Sequence, residues 1–434
     1  MGGMRVIEGG RPAGSDRAAD SRIGLALASG GIGGAIYEIG ALRALEEAIE
    51  GLDLNDLHVY VGVSAGAFVG ACLANGIGID RLCRTIATYD SDEGPFAPGN
   101  FFVPAFGEFG RRTAMVPGLF FSGLWDYLRA PGNYSVFEPL LRLGRALPVG
   151  VFDSRRIAAY LHRVFSAPGR TDDFRELGKH LVVVAADLDS GRAVRFGEPE
   201  FDQVPISKAV QASSALPGLY APVTIDGRHY VDGVLLKTVH ASVALDAGAE
   251  LVIAVNPIVP VDTERAVEKG VMRRGKLVDR GLPTVLAQSV RTLIRSRLEA
   301  GMAKYRQQYA GSDLILFEPR RDDYRMFFTN IFSFADRRAV CENGYRRTRA
   351  SLLARREELE PVLARHGLAL RLGVLEDPAR RVWDCVEASD RPSGRRPARA
   401  AELTGRLDQA LDRLDAVLDG EPVAPRPAEI SGAA

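Results

Sequence analysis

The stretch Val59-Tyr60-Val61-Gly62-Val63-Ser64-Ala65-Gly66-Ala67-Phe68 decides how this chain folds. Its first four residues form an apolar run short enough for a buried strand, and Ala65 to Asn75 is a small-residue run that reads as a helix. Between them stands Ser64, with Gly62 and Gly66 two residues to either side, a G-x-S-x-G spacing. A serine on a sharp strand-to-helix turn presents its hydroxyl outward, and the flanking glycines leave room for crowded, strained backbone. The helix beyond it points its positive end at the turn, which favours developing negative charge there.

Working upstream, Ile23 to Ala28 is another short apolar run. The glycines Gly30, Gly31, Gly33 and Gly34 come next, and then a helical pattern from about Ala35 to Glu50 carries Ile36, Ile39, Leu42, Leu45 and Ile49. Strand, loop, helix, strand, turn, helix is the rhythm of a parallel α/β sheet. Downstream, Leu181 to Ala186, Leu251 to Val255 and Leu314 to Phe317 read as further strands, and residues 335–366 read as helical and charged. Residues 91–150 interrupt the rhythm with Pro, Gly and many aromatics, among them Phe101, Phe102, Phe106, Phe120, Phe121 and Trp125. They read as an insertion with short helices: a lid or lipid-meeting surface on one view, a subdomain packed against the sheet on the other.

The ends differ in character. Residues 1–21 are polar and Gly-rich and read as a flexible leader. After about Ala388 the chain turns to Arg, Pro and Ser, a linker, and Leu403, Leu407, Leu411, Leu414 and Leu418 mark a last amphipathic helix over 401–419. The expected division is therefore a main α/β domain over 22–260, a helix-and-strand completion over 261–387, and the linker with its helix over 388–434.

Bulk properties narrow the class. At 434 residues the chain exceeds what one compact core usually holds. Hydrophobic residues make up 46% and charged residues 25%, with a formal net charge of zero, so nothing draws the chain to nucleic acid. Four cysteines without a C-x-x-C pair form neither a disulfide framework nor a zinc site. No apolar run reaches the ~18–20 residues of a membrane span, and the N-terminus has no apolar signal core, so a cytoplasmic protein is expected.

Three segments carry chemistry. Besides the serine turn, Ser29-Gly30-Gly31-Ile32-Gly33-Gly34 lets backbone N–H groups converge on an anion. That suits a phosphate cradle or an oxyanion hole, and a nucleophile turn one βα unit later favours the second. A serine nucleophile also needs a base. None of the six histidines, His58, His162, His180, His229, His240 and His366, stands in a loop context that asks for one. Tyr230-Val231-Asp232-Gly233 offers a carboxylate at a strand end, and a desolvated, aligned carboxylate can activate serine directly. Alone, Asp-Gly is a common turn.

Taken together and in this order, the glycine loop, Gly62-Val63-Ser64-Ala65-Gly66 and Asp232-Gly233 resemble the patatin-like phospholipases. Ala186 to Gly191, Ala209 to Gly218 and Leu251 to Asn256 are similar to that family as well, so the resemblance spans roughly 22–256. It implies a three-layer α/β/α fold with a central, mostly parallel sheet, here carrying the aromatic insertion and a helical C-terminal extension. It implies Ser64 as nucleophile and Asp232 as base. It implies an oxyanion hole from Gly30, Gly31, Ile32, Gly33 and Gly34, and motif glycines Gly62, Gly66 and Gly233. The implied activity is hydrolysis of a lipid acyl ester, of phospholipase A or lysophospholipase type. No metal or organic cofactor is needed, and membrane contact would be peripheral. The same dyad also fits a thioesterase or polyester depolymerase, and the fold alone fits a silent lipid-binding scaffold. The chain departs from the family pattern in two places. Gly33 stands where a basic residue is usual, and Val234 comes after Asp232-Gly233 without the usual Asn-Pro beyond. Both bear on substrate identity more than on reaction type. A Ser-His-Asp hydrolase of another fold would need a histidine near Ser64.

Overall fold

The computed structural model describes residues 3–9, 21–87, 98–129, 144–268, 277–321 and 334–384. A nine-stranded sheet runs through it: β1 (Met4–Ile7), β2 (Ile23–Leu27), β3 (Val59–Gly62), β4 (His180–Asp187), β5 (Ala193–Phe196), β6 (Val223–Ile225), β7 (Arg228–Asp232), β8 (Leu251–Val255) and β9 (Asp313–Phe317). In space the order is β1-β9-β8-β2-β3-β4-β7-β6, with β5 also paired to β4. The five central strands, β9 to β4, pair in parallel, and the flanking strands β1, β5, β6 and β7 are antiparallel.

The strands alternate between two apolar cores, which makes the fold three-layered. Leu25, Leu27, Tyr60, Val183, Ile253 and Ile315 enter one core. Ala26, Val59, Val61, Val184, Ala254 and Leu316 enter the other. Because successive strand residues face opposite sides, a strand covered on both faces must be apolar through its covered middle, as these are. The first core is closed by α1 (Gly31–Ala48), α2 (Ala65–Ala74), α5 (Arg155–Phe165), α6 (Ile206–Ser213) and α9 (Phe334–Ala354). The second is closed by α7 (Ala241–Asp246) and by Ile294, Leu298, Met302 and Tyr305 of α8 (Leu282–Gln308).

Three expectations from sequence need correction. Met4–Ile7, placed in the leader, is an edge strand antiparallel to β9, because Met4, Val6 and Ile7 find apolar cover there. The helix after the glycine loop begins at Gly31 rather than Ala35, so the glycines form its first turn. The insertion holds one 24-residue helix, α4 (Phe106–Arg129), which continues through Pro117. Glycine and proline weaken a helix locally without forbidding it. The short α3 (Ile79–Ala87) precedes the insertion. Cys385 and the linker and terminal helix expected over 388–434 lie outside the described residues.

The sheet register brings two distant segments to one spot. Val183 of β4 pairs with Gly62 on one edge and Phe196 on the other, and Ala185 pairs with Asp232 and Val194. The β5 ladder is continuous, so Gly62 and Asp232 share the opposite edge. The end of β3 meets β7 there, and Ser64, just past Gly62, is thereby set beside Asp232.

Candidate active site

Ser64 occupies the sharp turn expected of it. Its φ is +54°, the left-handed region, and it is one of two described non-glycine residues with positive φ. Such a conformation costs about 1–3 kcal/mol and persists only where the surroundings enforce it. Here the enforcement is visible. The Ser64 amide donates to the Ser213 hydroxyl at 2.8 Å, and that hydroxyl donates to the Val184 carbonyl at 2.6 Å. The Gly66 amide donates to the Ala28 carbonyl at 3.0 Å. A Cβ on Gly66 would lie 2.4 Å from the Leu27 carbonyl carbon, and one on Gly62 would lie 2.4 Å from the Ala67 Cα. Both glycines let three chain segments close on the serine.

The Asp232 carboxyl is 2% exposed, accepts a hydrogen bond from the Val234 amide at 2.9 Å and lines the same cavity as Ser64. Burial pushes its pKa from 3.8 up to about 7, with the Val234 hydrogen bond and the nearby Ser64 side chain pulling the other way. Desolvation thus wins over both, which gives a carboxylate basic enough to take a proton near neutrality. Gly233 lets the turn sit against the sheet, since a Cβ there would meet the Val184 carbonyl oxygen at 2.5 Å.

The glycine loop divides by role. Gly31 and Ile32 line the same cavity as Ser64 and Asp232. With Gly33 they are the first three residues of α1, whose N–H groups have no helical acceptor. Gly34 differs: its N–H donates to the Gly30 carbonyl at 3.0 Å and is already used. Gly30 and Gly34 instead make room for Pro257, whose Cγ a Cβ would meet at 2.6 Å and 3.1 Å respectively. The cavity itself is about 120 Å³, walled on its apolar side by Phe68, Phe101, Phe102, Ile157, Leu219 and Tyr220.

Among the described residues no histidine lines this cavity. His366 is bonded to Asp313 at 2.8 Å, His162 to Asp172 at 2.8 Å and His58 to the Ala247 carbonyl at 3.0 Å, each away from Ser64. His240 is buried close to the Gly233 and Lys237 backbone. Burial, then Lys237, lowers its pKa to about 4, so it stays neutral and supports the turn after Asp232. Sequence reasoning assigned no role to Ser213 or Pro257. Neither carries a local signal, because each acts on a segment far away in the chain. No cluster of His, Cys, Asp or Glu suited to a metal occurs among the described residues.

Part of the chain is similar to known proteins. The sequence model described as patatin-like phospholipase matches residues 25–245. An uncharacterized protein of Acanthamoeba polyphaga mimivirus is 22% identical over 204 residues, 46% of this chain and 55% of that protein. An uncharacterized NTE family protein of Mycobacterium bovis is 37% identical over 73 residues, 17% of this chain and 19% of that protein. The chain thus spans about half the length of the first relative and a fifth of the second. The structure of human GIVD cytosolic phospholipase A2 in complex with methyl gamma-linolenyl fluorophosphonate aligns at a TM-score of 0.31 and 12% identity, over 79% of this chain and 60% of that one.

Proposed function

Since the chain belongs to the patatin-like phospholipase family, we propose that it hydrolyses the carboxylic ester of a lipid through a Ser64–Asp232 dyad. The meeting of Ser64 and a desolvated Asp232 carboxyl in one cavity carries this reading. Asp232 takes the Ser64 proton as the oxygen attacks the ester carbonyl. The tetrahedral oxyanion lies toward the first-turn amides of α1, at Gly31, Ile32 and Gly33, where backbone donors and the helix dipole both favour negative charge. Asp232 returns the proton to the leaving alcohol, and the acyl group stays on Ser64. Water, activated by the same carboxylate, then releases the acid.

Among the described residues no cationic side chain lines the cavity, and most of the side chains that do are apolar. That suits an acyl chain at the reacting end and leaves the head group outside. The oxyanion amides remain with Gly33 in place of a basic residue, because the donors are backbone groups.

The test is turnover of p-nitrophenyl esters of graded chain length by wild type, Ser64→Ala and Asp232→Asn. The expected result is hydrolysis by wild type and loss of at least about 10³-fold in both variants, which remain folded. Turnover by Asp232→Asn at the wild-type rate would dismiss the dyad. A wild type inert on every ester, with vesicles present, would leave a lipid-binding scaffold, and preference for thioesters would move the activity to that class.

A further inference from the structure

The α4 helix carries its apolar side outward. Phe121 is 66% exposed, Trp125 56% and Phe120 45%. Between Arg112 and Asp126 the helix has no charged residue over 113–125. Wound at about 100° per residue, it gathers its five charged positions, Glu108, Arg111, Arg112, Asp126 and Arg129, within about 100° of arc. Phe106, Phe109, Val116, Phe120, Phe121 and Trp125 spread over the opposite half, and of the large exposed apolar residues only Met115 falls among the charges. A surface helix of a water-soluble protein shows the reverse orientation, with its apolar stripe on the core.

We propose that α4 is an interfacial helix that lays this face into the surface of a lipid bilayer beside the active-site mouth. The arginines favour lipid over a protein groove. The first two turns set Arg111 and Arg112 against Glu108, to which both are bonded, so two cations stand there for one carboxylate. At the other end the Arg129 guanidinium lies over the Trp125 ring at 4.9 Å. Aromatic rings at the acyl boundary with arginines reaching up to phosphates are the pattern of helices lying in the membrane plane. Among the described residues no helix is long and apolar enough to cross a membrane, so the contact is with one face.

Position gives the helix its purpose. Phe101 and Phe102 wall the cavity of Ser64, and α4 starts four residues later, after Ala105 bonds to the Val151 carbonyl at 2.9 Å. The cavity of about 120 Å³ is smaller than the roughly 300–1,000 Å³ of pockets that enclose a drug-sized ligand. A lipid would enter only by its ester and nearest carbons while its remainder stays in the bilayer. This last step rests on the hydrolase reading; the docking does not.

The experiment uses the full chain with sucrose-loaded vesicles of phosphatidylcholine, alone and mixed with phosphatidylglycerol. The readouts are co-sedimentation and tryptophan emission. The chain has two tryptophans, and Trp383 is 7% exposed, so a blue shift on vesicles reports Trp125. The expected result is binding to the mixed vesicles with a blue shift, weakened at least about tenfold by Phe120→Asp or Phe121→Asp. Both variants should hydrolyse a water-soluble short-chain ester at the wild-type rate, which shows them folded. Arg129→Glu should weaken binding to the mixed vesicles alone. Unchanged vesicle binding in both Phe variants would overturn the proposal. So would a wild-type dimer that Phe121→Asp converts to monomer, which would assign the face to a second copy. Vesicle binding that the Phe variants abolish, with no ester cleaved by any protein, would uphold the docking and sink the hydrolase reading instead.

Discussion

Asp232→Asn tests whether burial makes this carboxyl a base. The native pKa of about 7 stands roughly three units above the ordinary 3.8. At 1.36 kcal/mol per unit this amounts to ~4 kcal/mol. Proton uptake sets the sign. Between about pH 4 and pH 7 the native protein holds a proton that the unfolded chain has released, so stability falls as pH rises through that window. The contribution is fully present below about pH 4 and gone above about pH 7. Asparagine cannot titrate and keeps a similar shape. The stability of Asp232→Asn relative to wild type should therefore shift in the variant's favour by up to ~4 kcal/mol from pH 4 to pH 8. Urea unfolding of both proteins at unit steps of pH measures this directly. Activity gives the second half: wild-type kcat/KM should rise with pH to a plateau above about 7, and the variant should have none to titrate. A stability difference independent of pH would refute the desolvation argument, because nothing else in the substitution removes a titrating group. A flat wild-type rate from pH 5 to pH 9 would refute the assignment of Asp232 as base.

Two further substitutions probe the turn that holds Ser64. Gly66→Ala drives a Cβ to 2.4 Å from the Leu27 carbonyl carbon, backbone that cannot step aside. The expected cost is about 1–3 kcal/mol or more in urea unfolding, with activity lost as the turn opens. Ser213→Ala removes the acceptor of the Ser64 amide and the donor to the Val184 carbonyl. Leaving two buried backbone groups unmet should cost about 1–3 kcal/mol and lower kcat more than it changes KM, since the nucleophile loses alignment rather than the substrate its cavity. An unchanged kcat in Ser213→Ala would mean that the turn holds itself.

Much of this was legible in the chain because it is local. The strands β2, β3, β4, β8 and β9 are buried on both faces and so are apolar along their middles, which a sequence displays directly. The G-x-S-x-G spacing encodes a steric demand that the close approaches at Gly62 and Gly66 make explicit. Hidden from sequence is whatever depends on partners far along the chain. Met4–Ile7 is a strand only because β9, some three hundred residues later, offers it an edge. Ser213 looks like any helical serine until its hydroxyl is found between the Ser64 amide and the Val184 carbonyl. The length of α4 was masked by its own glycines and by Pro117, which advertise breaks that do not occur. Its outward apolar side lies outside the reach of periodicity, which says that a face exists but not which way it turns.

In the proposed dyad a carboxylate stands where many serine hydrolases set an imidazole. A histidine reaches its serine from a loop and needs a third group to orient it. Asp232 needs no such group, because its backbone is fixed twice over: it pairs with Ala185 in the sheet, and its amide donates to the Ala215 carbonyl at 3.0 Å. The Val234 amide then takes one carboxylate oxygen, at 2.9 Å. In the proposed dyad the orienting work of a triad falls to sheet register. The same register removes water, since the seam between β3 and β7 lies in the middle of a covered sheet, and removal of water supplies the basicity that a carboxylate lacks in solution. Position and basicity thus share one cause. A substitution that loosens the seam, such as one that opens the Gly233 approach to Val184, should therefore lower the Asp232 pKa and slow the reaction together. Displacement of the carboxyl without rehydration would slow the reaction alone, and the pH profile separates the two.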